Sequence, residues 1–515
     1  MRARRLPAIP LPVVLIAAVG AAMLIPGAMA FLGGDARTGR AFVQSGGLVV
    51  VLALLLAVAL APGTARAVRR RLALRNDPLV VQLVAFLALP PLMALPVAEA
   101  LDSVRMADAW FEMLSSFTTT GATLFDTPRD IPPAVHLWRA MAGWLGGLLV
   151  LATALTLLGA QELGTGARPY GAAEANPFHS VHLHGTAARA EGRSPASRLA
   201  RDLSALLPAY AGVTIVLWVG LQLAGNPALL AAMQAMSAIS TSGILPGRSM
   251  GPAGLWAEVM IFCVLLLALS RRTMPGAPPE ARARRWRDDP ELRLAAALVG
   301  LVTALIVLRH WAGAAQVAEA DNLPAAGRAL WGGAFTALSF LTTTGFVSHD
   351  WVAARAWSGL TSPGLILMGL ALVGGGVATT AGGVRLMRVH ALVLQGLRET
   401  EKLAHPSSVG GEGAARRALR GEGAFRAWLV LMVFLTSLIA VLAALLLTGV
   451  RFEAALVYAT AALSTTGPLV QVATETPLSW AALSDPARAV LGLAMILGRM
   501  ELLLLLMLLA GRLDR

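Results

Sequence analysis

The stretch "SSFTTTGATLFD", residues 115–126, is polar and broken by a glycine, and it sits between apolar segments. The pattern recurs three times, as "AISTSGILPGR" around Gly243, "SFLTTTGFVSHDW" around Gly345 and "ALSTTGPLVQV" around Gly467. The glycines Gly121, Gly243, Gly345 and Gly467 are 122, 102 and 122 residues apart. Each closes a short segment: "SVRMADAWFEMLSSF", "PALLAAMQAMSAI", "AGRALWGGAFTALSFL" and "RFEAALVYATAAL". At roughly 12–15 residues these are too short to cross a bilayer, which takes about 20, so they suit half-helices that enter and turn back.

Longer apolar runs bracket every copy. They fall near 12–32, 43–62, 79–98, 137–159, 204–224, 254–270, 292–311, 362–373 with 386–397, 426–449 and 487–510, giving ten expected spans. The chain of 515 residues is 57% hydrophobic and 14% charged, against about 25% charged in water-soluble domains. Short alternating strands, the mark of a membrane barrel, do not appear. The expected class is an all-α polytopic membrane protein. Its unit of span, half-helix, polar loop and span repeats four times, at 78–165, 195–272, 290–400 and 424–515, with two further spans in 1–77. Every unit starts and ends on one side, so the repeats are parallel and are expected to surround one pore.

A net charge of +13 does not point to nucleic acid, because the arginines cluster between spans. Arg66, Arg69, Arg70, Arg71 and Arg75 lie in 63–77, six arginines from Arg271 to Arg287 in 271–290, and Arg398, Lys402, Arg416, Arg417, Arg420 and Arg426 in 398–426. The segment 161–201 is also basic. The positive-inside rule places these loops in the cytoplasm, along with both termini. The opposite connections carry Asp102, Asp108, Asp126, Asp130, Glu319, Asp321, Asp350, Glu475 and Asp485. "HSVHLHG", with His179, His182 and His184, lies in a small-residue linker without a second ligand cluster and is read as a solvated loop. The single cysteine, Cys263, sits in "VMIFCVLLLAL" and is expected to pack within a helix. The first 30 residues have the outline of a signal peptide, but their apolar stretch is long enough to span, and a retained helix is the favoured reading.

Irregular backbone at membrane depth survives only where protein buries it or water reaches it. Four copies of one re-entrant loop solve this together by facing one axis. Glycine takes positive φ without steric cost, so consecutive carbonyls can point inward, and rings of carbonyls can replace the hydration shell of a potassium ion. Hydroxyls can add a further layer. The expected filter residues are Thr119, Thr120, Gly121, Thr241, Ser242, Gly243, Thr343, Thr344, Gly345, Thr465, Thr466 and Gly467, with K+ as the transported ion. None is charged, which favours a carbonyl filter over a carboxylate ring. Small residues and hydroxyls also mediate plain helix packing, but four copies in register after four half-helices go beyond that.

"LVGGGVATTAGGVRLMRV", residues 372–389, falls inside an expected span and is rich in glycine and threonine. It is either a flexible kink or a break whose loop lies under the filter and gates it. The residues concerned are Gly374, Gly375, Gly376, Thr379, Thr380, Gly382 and Gly383, with Arg385 and Arg388 resuming the helix. Arg499, in "MILGRMELLLL", lies about 12 residues into the last span, where a charge needs a partner or a water cavity. It lines the pore, snorkels, or pairs with Glu501.

On the four loops, on "GGGVATTAGGVRLMR", on "WRAMAGWLGGLLVL" and on "LGRMELLLLL", residues 78–515 resemble the TrkH/KtrB superfamily of potassium-uptake proteins, and the two leading spans resemble its TrkH branch. Leu469 after Pro468 and Ser242 before Gly243 depart from the common pattern. The resemblance implies a homodimer with one pore per subunit and a cytoplasmic nucleotide-binding regulatory subunit of the TrkA/KtrA type. It further implies that the broken span and Arg499 obstruct the pore. The location implied is the cytoplasmic membrane, in contact with lipid. No phosphate loop, metal-ligand cluster or nucleophile elbow is visible, so neither an enzyme nor a bound cofactor is expected. The competing class is a secondary transporter coupling potassium to sodium or protons. Such proteins usually show inverted repeats and midplane ionisable groups.

Overall fold

A computed structural model describes residues 10–60, 78–125, 130–162, 195–247, 250–273, 289–313, 322–358, 364–405, 423–474 and 476–500. Among them all regular structure is helical. The first crossing is α1 (Leu11–Ala22) and α2 (Leu24–Leu32), together a 22-residue apolar stretch. Pro26 lacks the N–H that would bond the Ala22 carbonyl, which accounts for the break at Met23. α3 (Ala36–Ala59) returns, its first turn capped by Asp35, which accepts from Thr38 N at 3.0 Å. The two crossings approach closely at Gly20 and Gly46, where a Cβ on Gly20 would lie 3.0 Å from the Gly46 carbonyl.

Four further sets follow in chain order. The first is α4 (Pro78–Ala100), the short α5 (Met106–Phe117) and α6 (Pro133–Glu162). The second is α7 (Pro195–Leu223), the short α8 (Ala228–Ser240) and α9 (Gly254–Leu265). The third is α10 (Pro290–Gly313), α11 (Asn322–Leu341), α12 (Trp351–Ser358), α13 (Gly364–Val373) and α14 (Leu386–Ala404). The fourth is α15 (Ala424–Leu447), the short α16 (Phe452–Leu463) and α17 (Asp485–Arg499). Each short helix packs between the longer helices of its own set, and α17 also packs on α5, so the last set closes onto the first.

Burial separates two environments. The long helices expose large apolar side chains, among them Val58, Val216, Leu223, Ile439 and Leu447. An apolar surface of this kind is what a lipid-facing wall presents. The short helices are buried instead, and they carry buried polar side chains: Glu112, Ser115, Gln234, Ser237, Thr336, Ser339 and Thr460. Each of these needs a partner in the interior.

Several expectations are corrected. Among the described residues, six helical stretches are long and apolar enough to cross a membrane, one of them α1 and α2 taken together. The run near 254–270 is α9 plus a 3-10 turn, Leu266–Leu269. The run at 362–397 is broken where the glycine-rich stretch suggested, into α13 and α14. The last span is described only as far as Met500. The third short helix has 20 residues, more than expected, because it begins at Asn322 and Pro324 is tolerated in a first turn. Cys263 is helical but exposed rather than packed. The His179, His182 and His184 cluster, Glu501, and the basic stretches 63–77 and 274–288 lie outside the described residues. Among those described, no group of three or more His, Cys, Asp or Glu side chains could hold a metal ion.

Candidate functional site

The four short helices end alike. The residue before each glycine donates its N–H back into the helix: Thr120 to Ser115 O at 2.9 Å, Ser242 to Ser237 O at 3.0 Å, Thr344 to Ser339 O at 2.9 Å and Thr466 to Ala461 O at 2.8 Å. One residue earlier the backbone is left-handed in all four loops, at Thr119 (φ 56°), Thr241 (φ 51°), Thr343 (φ 60°) and Thr465 (φ 54°). Threonine is β-branched, and this conformation costs roughly 1–2 kcal/mol per residue. Four equivalent strained residues converge here; the sequence had marked these threonines for the filter but had assigned positive φ to the glycines alone.

Gly121, Gly243 and Gly345 have positive φ, as the sequence suggested, but Gly467 does not. It opens a 3-10 turn, Gly467–Gln471, and follows Thr466 at φ −126°. Pro468 takes the second position of that turn. Gly467 is needed for close approach instead: a Cβ there would lie 2.3 Å from Ala122 N.

These approaches set the order of the loops. A Cβ on Gly121 would meet Ser242 O at 2.0 Å, and one on Gly243 would meet Thr344 O at 2.1 Å. One on Gly345 would meet the Pro468 ring at 2.9 Å. Gly467 N donates to Thr120 O at 2.6 Å. The first loop touches the second, the second the third, the third the fourth and the fourth the first. The twelve expected residues are thereby brought into one closed ring.

Hydroxyls brace each quarter from within. Thr118 pairs with Thr120 at 2.9 Å, Ser240 with Ser242 at 3.0 Å, Thr342 with Thr344 at 3.1 Å and Ser464 with Thr466 at 3.2 Å. A second brace comes from the residue nine positions before each glycine, which ties the short helix to the chain beyond the loop. Glu112 accepts from Leu124 N at 2.9 Å, and Gln234 donates to Met250 O at 2.7 Å. Thr336 accepts from Ser348 N at 3.3 Å, and Tyr458 donates to Ser479 O at 2.6 Å. Glu112 also pairs with Arg139 at 2.5 Å, both buried, and Arg139 lies over the Phe125 ring. Reading the sequence for the loops alone missed these four residues. Counting back nine from each glycine would have found them, although Glu, Gln, Thr and Tyr share no residue type.

On the side from which the short helices enter, the ring opens into a funnel of about 890 Å³. Gly121, Gly243 and Gly345 form part of its wall, with Thr123, Ser348 and Gln471 among the polar residues. On the other side lies the segment between α13 and α14. It is a closed loop: Val384 N donates to Leu372 O, Arg385 N to Val373 O and Leu386 N to Gly375 O, at 2.8–2.9 Å. Arg385, at φ 88°, turns its side chain back to Gly376 O at 3.0 Å. The 3-10 turn after α9 leaves carbonyls unspent, and Gly376 N bonds one of them, Ala268 O, at 3.0 Å.

This loop meets three of the four left-handed threonines. Thr241 Oγ1 donates to Thr380 O at 2.8 Å, and Gly382 N donates to Thr343 Oγ1 at 2.7 Å. Gly382 is so close to the fourth loop that a Cβ would lie 2.2 Å from Ser464 O and 2.4 Å from Thr465 Oγ1. Arg499, buried, donates Nη2 to Thr380 O at 2.6 Å, while its Nε and Nη1 have no hydrogen-bond partner among the described residues. The hydroxyls of Thr119 and Thr465 are likewise buried without a hydrogen bond. Chemically, the ring is made of backbone carbonyls and neutral hydroxyl side chains, with a backbone loop and a guanidinium against one side of it.

The comparisons agree with this architecture. A family model described as TrkH, cation transport protein, matches residues 293–513. The Trk system potassium uptake protein TrkH of Salmonella typhimurium is 28% identical over 506 residues, 94% of each chain. That of Vibrio parahaemolyticus is 28% identical over 425 residues, 79% of each chain. The crystal structure of the potassium transporter TrkH from Vibrio parahaemolyticus superposes with a TM-score of 0.75 at 23% identity, covering 97% of both chains. The relatives are transport proteins rather than enzymes. Family model, relatives and fold point the same way: the chain is a polytopic membrane protein similar in sequence to TrkH proteins, with the fold of one.

Proposed function

We propose that this chain takes up potassium across the cytoplasmic membrane through the axis enclosed by its four loops. The observation that carries the reading is the fourfold recurrence of one local geometry, closed into a ring by contacts between successive loops. The names of the relatives, potassium uptake proteins of the Trk system, supply the ion. Residues 78–165, 195–272, 290–400 and 424–515 each contribute one quarter, and the crossings in 1–77 stand outside. The filter is formed by Thr119, Thr120, Gly121, Thr241, Ser242, Gly243, Thr343, Thr344, Gly345, Thr465, Thr466 and Gly467. Carbonyls and hydroxyls there replace water around K+. The membrane potential drives entry, at about 2.3 kcal/mol per charge per 100 mV.

The loop 374–383 and Arg499 form the gate. A fixed positive charge beneath the ring repels a cation, and the backbone loop fills the path. Both termini and the basic loops face the cytoplasm by the positive-inside rule. A homodimer and a cytoplasmic nucleotide-binding regulatory subunit complete the assembly, as the resemblance implies. The test is cation flux into liposomes containing the purified protein, comparing potassium, rubidium, sodium and lithium. Potassium and rubidium should pass well ahead of sodium and lithium under an imposed potential. Equal flux of all four would refute the filter, and flux that requires a sodium or proton gradient would refute the channel-like pathway.

A further inference from the structure

The two carboxylates behind opposite quarters of the ring are not equivalent. Behind the first loop, Glu112 is neutralised by Arg139. Behind the third loop, the residue nine before the glycine is the neutral Thr336. The carboxylate there arrives from the preceding set, as Glu258 of α9, which is 1% exposed. Its partners all belong to the third set: Trp331 Nε1 donates to Oε2 at 2.7 Å, Ser348 Oγ to Oε2 at 2.8 Å and His349 N to Oε1 at 2.6 Å. All three donors are neutral N–H or O–H groups, and no cation among the described residues lies within ion-pair distance of Glu258. Val347, Ser348 and His349, the residues around which it closes, are part of the funnel wall.

Two physical consequences follow. A buried charge held only by dipoles acts over a longer range than one neutralised in an ion pair, and it works against the positive charge of Arg139 and Arg355, which also line the funnel. A negative potential at a funnel mouth raises the local cation concentration. A carboxylate with three short donors also fixes the outer limb of the third loop, since losing the acceptor would leave buried N–H and O–H groups unsatisfied. Glu112 can perform the second task but not the first, since Arg139 cancels its charge.

Resting on the potassium-uptake reading above, we propose that Glu258 sets the apparent affinity of the pathway for potassium, by placing an uncompensated negative charge behind the funnel wall while positioning the limb of the third loop that follows Gly345. It is a positioning residue that acts on the ion through the field and through Ser348 and His349, without touching the ion itself.

The experiment is the concentration dependence of potassium flux in proteoliposomes, with maximal rate and half-saturating concentration read separately. Wild type, Glu258→Gln, Glu258→Asp and Ser348→Ala are compared. Glu258→Gln removes the charge at nearly constant volume and should raise the half-saturating concentration roughly fivefold, with maximal rate changed less than twofold. Glu258→Asp keeps the charge and should restore the half-saturating concentration to within about twofold of wild type. Ser348→Ala removes one donor and no charge, and should behave as Glu258→Asp does. Should Glu258→Gln fail to fold, the Asp and Ala variants decide the matter: a several-fold rise in half-saturating concentration in both would overturn the role of charge. A folded Glu258→Gln with wild-type concentration dependence would overturn the proposal outright. Wild-type vesicles that pass no potassium would instead refute the uptake reading, with this proposal falling alongside it.

Discussion

The guanidinium of Arg499 and the carbonyl of Thr380 are 2.6 Å apart, and the same carbonyl accepts from Thr241 at 2.8 Å. One backbone oxygen thus joins the last span, the loop between α13 and α14, and the second quarter of the ring. Arg499 keeps two further donors without hydrogen-bond partners among the described residues, an arrangement that costs energy and therefore marks a functional position.

If that arrangement is the gate, Arg499→Ala should raise potassium flux, and so should deletion of 374–383. Combining the two should give less than the product of the single effects, because both act on one barrier. Flux unchanged or lowered in both single variants, with the protein inserted and folded, would exclude the gate.

Gly345→Ser should lower the preference for potassium over sodium. The position has φ +79°, and a Cβ would meet the Pro468 ring at 2.9–3.1 Å. A strain of about 1–2 kcal/mol borne by the ion-bound form corresponds to roughly tenfold in the ratio. The check is the ratio of potassium to sodium flux in one preparation of liposomes. An unchanged ratio would remove Gly345 from the filter.

The hydroxyls of Thr119 and Thr241 differ in partners, and their valine variants should differ accordingly. Thr119 Oγ1 has no hydrogen bond, so Thr119→Val should weaken potassium binding and leave gating intact. Thr241→Val also breaks the bond to Thr380 O, so it should raise basal flux as well. Identical phenotypes for the two would show that the loop between α13 and α14 is not held through Thr241.

Tyr458→Phe removes the donor to Ser479 O, at 2.6 Å, without removing the ring that packs edge-on against Trp480. Losing that hydrogen bond should cost about 0.5–1.5 kcal/mol. The detergent-solubilised variant should melt several degrees lower while keeping its ion preference. A lost preference at unchanged stability would assign Tyr458 to the filter rather than to its support.

The membrane class and the four loops were legible in the sequence, and so was the place where the third set's second span kinks or breaks. Each of these is written locally: in apolar run lengths set by bilayer thickness, in a repeated T-T-x-G pattern, and in a glycine cluster that no continuous helix favours. What stayed hidden depends on contacts across the chain. The left-handed threonines were illegible because propensity argues against that conformation, and only the helix-ending bonds and the closed ring hold them there. Gly467 looked like its three counterparts, yet it opens a 3-10 turn and packs its backbone against Ala122. Glu258 carried no motif: its significance lies in Trp331, Ser348 and His349, which are 73–91 residues away in the chain. A repeat pattern can announce that four loops exist, but burial and packing decide which charge is cancelled, which hydroxyl is left free, and which carbonyl Arg499 reaches.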